Sequence, residues 1–258
     1  MSTTLYYFSA TGNSLTTARL LQEQLIAAKF DADCRLVPVT STKNVSKVID
    51  EADTIGFIFP IYYGNMPYPV REMISKMVFK SEAYIFIVST YRGHNGDIAK
   101  RMDQLLKTRG QKLSLSLGLP MPGNSFINPL EVDAQYLAEQ SQNIANLLPG
   151  LLARQTENYA TTEVFGLRPV DYPNNFRGIT TEDHCTGCGT CVKVCPMNNI
   201  QLQDGKAVIG DDCSTCLACF HWCPVKAIWM SKQENIARRD QYRHPDVTLA
   251  DIIAQLQP

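Results

Sequence analysis

The chain has 258 residues, 45% of them hydrophobic, 19% charged and 9% aromatic, with a formal net charge of −1. That profile excludes a disordered or collagen-like chain, and the near-zero charge leaves no electrostatic footprint for nucleic acid or an anionic membrane. Eight of the nine cysteines fall between Cys185 and Cys223, the other being Cys34, so the chain is compositionally two things joined together.

The N-terminal MSTTLYYFSATGN lacks the basic start and apolar run of a signal peptide. No stretch approaches the roughly 20 apolar residues of a membrane helix. In a chain that is not exported, dense cysteines point to metal rather than disulfides, and a cytoplasmic location is expected. The sequence carries no signal for oligomeric state.

In chain order, Thr4–Phe8 reads as a strand, SATGNS as a loop and Leu15–Ala28 as a helix. Cys34–Val39 reads as a strand, with Cys34 a small buried hydrophobe, and Lys43–Asp50 as a weak helix. Thr54–Phe59 is an apolar strand ended by Pro60, and Pro69–Phe79 has helical spacing. Ala83–Ser89, Gly96–Thr108, Leu113–Leu119 and Glu131–Arg154 follow as strand, helix, strand and long helix. Apolar runs alternating with helices predict an α/β, doubly wound parallel sheet, covered on both faces, over residues 1–155. Ligands of such sheets bind beyond the carboxyl ends of the strands. From Gln155 the pattern breaks into RPVDYPNNFRG, a linker. A short helix is expected near Leu249–Leu256.

The cysteines repeat. CTGCGTCVKVCP carries Cys185, Cys188, Cys191 and Cys195; CSTCLACFHWCP carries Cys213, Cys216, Cys219 and Cys223. Each run is C-x2-C-x2-C-x3-C-P. Three thiolates on two-residue gaps wrap one corner of an iron–sulfur cubane, and the fourth, stiffened by proline, serves the cluster of the other half. Cluster one then takes Cys185, Cys188, Cys191 and Cys223; cluster two takes Cys213, Cys216, Cys219 and Cys195. Between the runs, Asp204–Gly205 marks a hairpin, and Ile228–Met230 reads as a closing strand. A zinc ribbon needs only four ligands and explains neither the third cysteine of each run nor the Cys-Pro endings; a disulfide module is the other alternative. His184 and His221 read as loop residues beside ligands, Trp222 as packing or shielding. Repeat, hairpin and prolines together resemble the bacterial 2[4Fe-4S] ferredoxins over residues 176–233.

The loop Ser9–Ser14 can surround a phosphate with hydroxyls and backbone N–H groups at the positive end of a helix. It has no lysine and one glycine, so neither the nucleoside-triphosphate loop nor the dinucleotide fingerprint fits. A hydroxyl-rich loop without positive charge suits a monophosphate; the plain alternative is a turn in which Ser9, Thr11 or Asn13 caps the helix. Two further loops lie at the same sheet edge. PIYYGNMP places Pro60, Tyr62, Tyr63, Gly64, Asn65 and Met66, and TYRGHNG places Thr90, Tyr91, Gly93, His94, Asn95 and Gly96. Their aromatics and Met66 can wall a flat flavin ring, and their glycines permit close backbone approach; ordinary turn glycines and surface tyrosines are the alternative.

The three loops in order resemble the flavodoxin family. The resemblance implies strand order 2-1-3-4-5, bound FMN, phosphate-loop roles for Ser9, Thr11, Gly12, Asn13 and Ser14, and ring contacts from Pro60–Met66 and Thr90–Gly96. The whole chain is similar to a flavodoxin–ferredoxin fusion, a type found mainly in anaerobes: a flavodoxin-like domain (1–155), a linker (156–175), a two-cluster ferredoxin-type domain (176–233) and a tail (234–258). Flavodoxins are typically acidic, whereas residues 1–155 here hold 15 Lys+Arg against 13 Asp+Glu. Arg92 is either a cation at the flavin's edge or a solvated side chain. Tyr242, Arg243, His244 and Pro245 either cover the flavin or, as favoured, pack on the surface. The expected function is electron transfer between one-electron redox protein partners of ferredoxin type, two [4Fe-4S] clusters and FMN. Alternatives are a flavin-dependent reductase with Tyr63, Tyr91 or His94 as proton donor, and a non-enzymatic redox, oxygen or iron sensor.

Overall fold

The computed structural model describes residues 2–125, 130–159, 178–230 and 240–256. The first half contains β1 (Thr3–Tyr7), α1 (Asn13–Ala27), β2 (Arg35–Pro38), a 3-10 turn (Val39–Thr42), β3 (Val48–Asp50), β4 (Thr54–Pro60) and α2 (Tyr68–Lys76). It continues with β5 (Met77–Phe79), β6 (Tyr84–Tyr91), α3 (Ile98–Lys107), β7 (Leu115–Pro120) and α4 (Val132–Leu152). Five strands form one parallel sheet in the order β2-β1-β4-β6-β7. Counting only these five, that is the doubly wound 2-1-3-4-5 order expected. The central strands read as unbroken apolar runs because helices cover both faces. Ile55, Phe57, Ile58 and Phe59 of β4 are fully buried, and each such side chain contributes about 1.5–3 kcal/mol.

Two segments depart from the sequence reading. Lys43–Asp50 is not a helix: its end is β3, which pairs in parallel with β5, Ile49 lying opposite Val78. The second helix accordingly ends at Lys76, and Met77–Phe79 is extended. Three-residue strands are too short to show a period, so helical spacing continues through them on paper. Cys34 is buried just before β2, and burial, with Asp31 nearby, pushes its thiol up to about 12.

The second half holds β8 (Ile179–Thr181), α5 (Thr190–Lys193), β9 (Ile200–Gln203), β10 (Lys206–Ile209), α6 (Ala218–Trp222), β11 (Ile228–Met230) and α7 (Leu249–Ala254). The hairpin turns at Asp204–Gly205, both at positive φ, and β11 pairs antiparallel with β8. The linker region beyond Tyr159 and the expected domain-to-tail junction at 233 lie outside the described residues. Tyr159 itself is buried, and its hydroxyl accepts from the Ser116 amide at the sheet edge.

The halves pack together. Val194, Cys216, Ala218, Trp222, Val247 and Ile252 belong to the same hydrophobic core as the sheet, while Ile179, Cys191, Ile200, Phe220 and Cys223 form a second, smaller core. Among the described residues no helix is long and apolar enough to cross a membrane.

Candidate redox site

At the carboxyl edge of the sheet, α1 begins at Gly12, which sits at φ 108° and provides no side-chain cap. The capping alternative for Ser9, Thr11 or Asn13 is therefore not what the fold holds. Ser9 Oγ instead accepts from the Gly12 amide at 3.1 Å, and the Ser14 and Thr90 hydroxyls pair at 2.8 Å. The backbone amides of Thr11, Asn13 and Ser14 have no acceptor among the described residues, although all three residues are buried. Buried donors at a helix N-terminus fit an anion.

A cavity of about 160 Å³ opens beside this loop, lined by Ser9, Thr11, Asn13, Ser14, Pro60, Tyr62, Thr90 and Tyr91 among the expected residues. The remaining expected contacts lie off its lining. Tyr63 is exposed at φ 51°, and His94 and Gly93 are exposed. Asn65 closes a turn by exchanging backbone hydrogen bonds with Tyr62, and Met66 is buried behind it. Asn95 faces inward, accepting from Ser89 Oγ at 2.6 Å. Gly64 and Gly96 approach one another rather than the cavity. Gly12 also does not line it: a Cβ there would lie 2.7 Å from His244 Cβ and 2.9 Å from Val247 Cβ. Its lack of a side chain admits the tail.

Sequence reasoning missed the fourth wall, the loop Met121–Ser125 after β7. Only its proline and glycine marked it, as a turn. Arg92 is not solvated: its side chain is 11% exposed, lines the cavity and pairs with Asp133 of α4 at 3.5 Å. Gly123 makes room for it, since a Cβ there would meet Arg92 Cδ at 2.3 Å.

The tail packs onto the loop Ser9–Ser14. Gln255 brackets Ser9, its Oε1 accepting from Ser9 N at 3.1 Å and its Nε2 donating to Ser9 O at 2.5 Å. The His244 amide donates to Thr11 O at 2.8 Å, and the Tyr242 hydroxyl to Asn13 Oδ1 at 2.6 Å. Arg243 lies over the Trp222 ring, 5.0 Å from its centroid. His221 is not a loop residue. It is wholly buried in α6, its Nδ1 accepting from the Tyr242 amide at 2.9 Å and its Nε2 facing Asn124 O at 2.8 Å. The accepting Nδ1 assigns the proton to Nε2. His184 stays in a loop, half-exposed beside Val225 O and Glu182.

Two further, smaller cavities lie in the second half. One is lined by Cys185, Cys188, Cys191 and Cys223, the other by Cys195, Cys213, Cys216 and Cys219. Four thiols around one cavity are the donor set that a [4Fe-4S] cluster takes. Backbone N–H groups of Asn199, Thr215 and Ala227 point at Cys195, Cys213 and Cys223 sulfurs at 3.4, 3.3 and 3.2 Å. Burial pushes the Cys216 thiol up to about 12 and Cys191 up to about 11, and raises Cys219 well above the ordinary thiol value; Cys188, exposed and bonded to the Thr190 hydroxyl, is lowered. Buried thiols stay protonated until a metal displaces the proton.

A family model for a 4Fe-4S dicluster domain matches residues 184–228. The chain is 57% identical to Ferredoxin-2 of Desulfomicrobium norvegicum over 30 residues, 12% of this chain and 51% of that protein. It is 65% identical to Ferredoxin-3 of Desulfocurvibacter africanus over 26 residues, 10% of this chain and 43% of that protein. The chain thus spans about half the length of the curated relatives it matches. A solved flavodoxin from the domain Archaea is similar over 58% of this chain and 99% of its own, at 16% identity and a TM-score of 0.34. At that score the fold assignment rests on the strand order itself. The dicluster match supports iron–sulfur clusters and redox electron transfer. The chain thus joins an α/β domain with the flavodoxin-like strand order to a segment, residues 184–228, that is similar to 4Fe-4S dicluster domains.

Proposed function

We propose that the protein relays electrons between external one-electron carriers of ferredoxin type, two [4Fe-4S] clusters and FMN. The observation that carries this reading is the partition of the cysteines into two cavities. Each takes three from one run and its fourth from the other, beside a third cavity edged by a helix N-terminus with unbonded amides. Clusters pass single electrons and a flavin holds one or two, so the pair supplies conversion between one- and two-electron chemistry. The chain's own residues bind and orient. Thr11, Asn13 and Ser14 amides face the monophosphate, Tyr62 and Tyr91 wall the ring, and the Arg92 guanidinium, balanced by Asp133, borders the cavity. The cysteine thiolates hold iron, and the amides of Asn199, Thr215 and Ala227 donate to them. Such bonds stabilise the more negative, reduced cluster and raise its potential.

Anaerobically purified protein should contain about eight irons and eight acid-labile sulfides per chain, with stoichiometric FMN. Zinc in place of iron, or a second-half match without flavin in the first half, would overturn the proposal.

A further inference from the structure

We infer that the Cys195, Cys213, Cys216 and Cys219 site is the inner of the two, and that Asn124 is the positioning residue between it and the flavin cavity. The inference rests on the relay proposed above and adds an order to it: outside carrier, outer site, inner site, flavin.

Asn124 lies in the loop after β7 and lines the flavin cavity, as does Tyr62. Its Nδ2 donates to the backbone carbonyl of Cys216 at 3.2 Å and stands 3.4 Å from the Tyr62 hydroxyl. One side chain therefore bridges a cysteine of the inner cavity to the wall of the flavin cavity. The loop is fixed from behind, because Asn124 O meets Nε2 of the wholly buried His221. A second tie holds the same site: Lys43 Nζ donates at 3.0 Å to the carbonyl of Pro196, which follows Cys195. The outer site has one tie of that kind, Trp222 Nε1, beside Cys223, donating to Ala10 O at 2.9 Å; among the described residues, no hydrogen bond from the sheet domain reaches Cys185 or Cys188. Two cysteines of each site are buried, and Cys188 of the outer site is the exposed one of the eight. Cys216 alone packs in the sheet's core; the other site cysteines except Cys188 pack in the smaller one.

In the step so placed, the reduced inner cluster loses one electron and the flavin gains it, with no bond made or broken at the cluster. A one-electron reductant refills the outer cluster, which refills the inner one. A second passage and two protons from solvent complete the flavin's reduction. Electronic coupling weakens wherever a bonded contact becomes a gap, so the Asn124 bridge affects the rate of this step alone.

The test uses the full chain loaded with flavin and clusters. Asn124→Leu keeps the volume and removes the amide donor; Asn124→Ala is the second variant. Sub-stoichiometric photoreduction is followed at cluster and flavin wavelengths separately. The internal cluster-to-flavin phase should slow by about tenfold in both variants, as expected when a contact is displaced by a fraction of an ångström. Iron and sulfide contents should stay unchanged, and the internal phase is compared at equal flavin loading and equal driving force. An unaltered internal phase with all centres in place would overturn the role of Asn124 and leave the relay standing; absent flavin or iron in the unmodified protein would sink the relay itself. Independently of any variant, limited treatment of the unmodified protein with an iron chelator, followed by alkylation and mass spectrometry, should label Cys185, Cys188, Cys191 and Cys223 first. The species that retains about four irons should keep the internal phase. Earlier labelling of Cys213, Cys216 and Cys219, or loss of the internal phase together with the outer cluster, would overturn the order.

Discussion

The Trp222 indole N–H donates to the carbonyl of Ala10 at 2.9 Å, so the residue before Cys223 is tied to the loop that begins α1. Both residues are buried. Trp222→Phe keeps a ring beneath Arg243 but strands a buried acceptor, which costs about 1–3 kcal/mol. The variant should show a lowered unfolding midpoint and weaker flavin retention on dialysis, with iron content unchanged. Undiminished stability would show that the two halves do not depend on this contact.

Gly12→Ala tests what the glycine is for. A methyl group would press on His244 and Val247 at a backbone φ of 108°, and strain plus overpacking together cost about 2–4 kcal/mol. Hydrogen exchange across residues 240–256 should accelerate even in flavin-free protein. If exchange in the tail is unchanged and only flavin binding suffers, the glycine serves the ligand instead.

His244 makes tail docking pH-dependent. It is 2% exposed, Nε2 bonds to Gln140 Oε1 and Nδ1 accepts from the Asp246 amide. Burial lowers its pKa, and the Asp246 carboxylate, 3.9 Å away and solvated, opposes this only in part. Thr16 and Thr17, which Gln140 also contacts, carry no charge. The folded form therefore disfavours the proton. Docking is at full strength above about pH 6.5, the ordinary histidine value, and weakens as pH falls below it. Protease sensitivity of the tail, measured from pH 8 to pH 5, should rise on the acid side and should flatten in His244→Gln.

Lys43→Met probes the charge beside the inner cysteines. The ammonium sits on the Pro196 carbonyl, and a nearby cation favours the reduced, more negative state of a cluster. Its removal should lower one of two cluster potentials by on the order of tens of millivolts, leaving the other unmoved. Equal shifts in both, in a spectroscopic redox titration, would show that the lysine does not distinguish the two sites.

Much of this was legible in the residues. Unbroken apolar runs such as TIGFIF specify buried parallel strands, and the repeated cysteine cadence marks the 4Fe-4S dicluster segment that the family model matches over residues 184–228. What escaped depended on partners distant in the chain. Val48–Asp50 is a strand because Met77–Phe79 lies beside it, not through any local preference. His221 looks like part of a cysteine coil until Tyr242 and Asn124 bury it. The loops expected to wall a ring divide. Tyr62, Thr90 and Tyr91 line the cavity, but Asn95 turns inward to Ser89, and glycine-rich turns do not reveal which way a neighbouring side chain will point. Asn124 sits in MPGNS, a segment whose composition announces only a turn.

The bracket that Gln255 places around Ser9 spans 246 positions of chain. Ser9 is translated long before Gln255, so this bracket forms only after the cysteine runs have been made. Assembly is thereby ordered in time: a nascent chain halted before residue 255 lacks the clasp on the loop that opens α1, and that edge of the cavity stays unsecured until the cysteine segment has been synthesised.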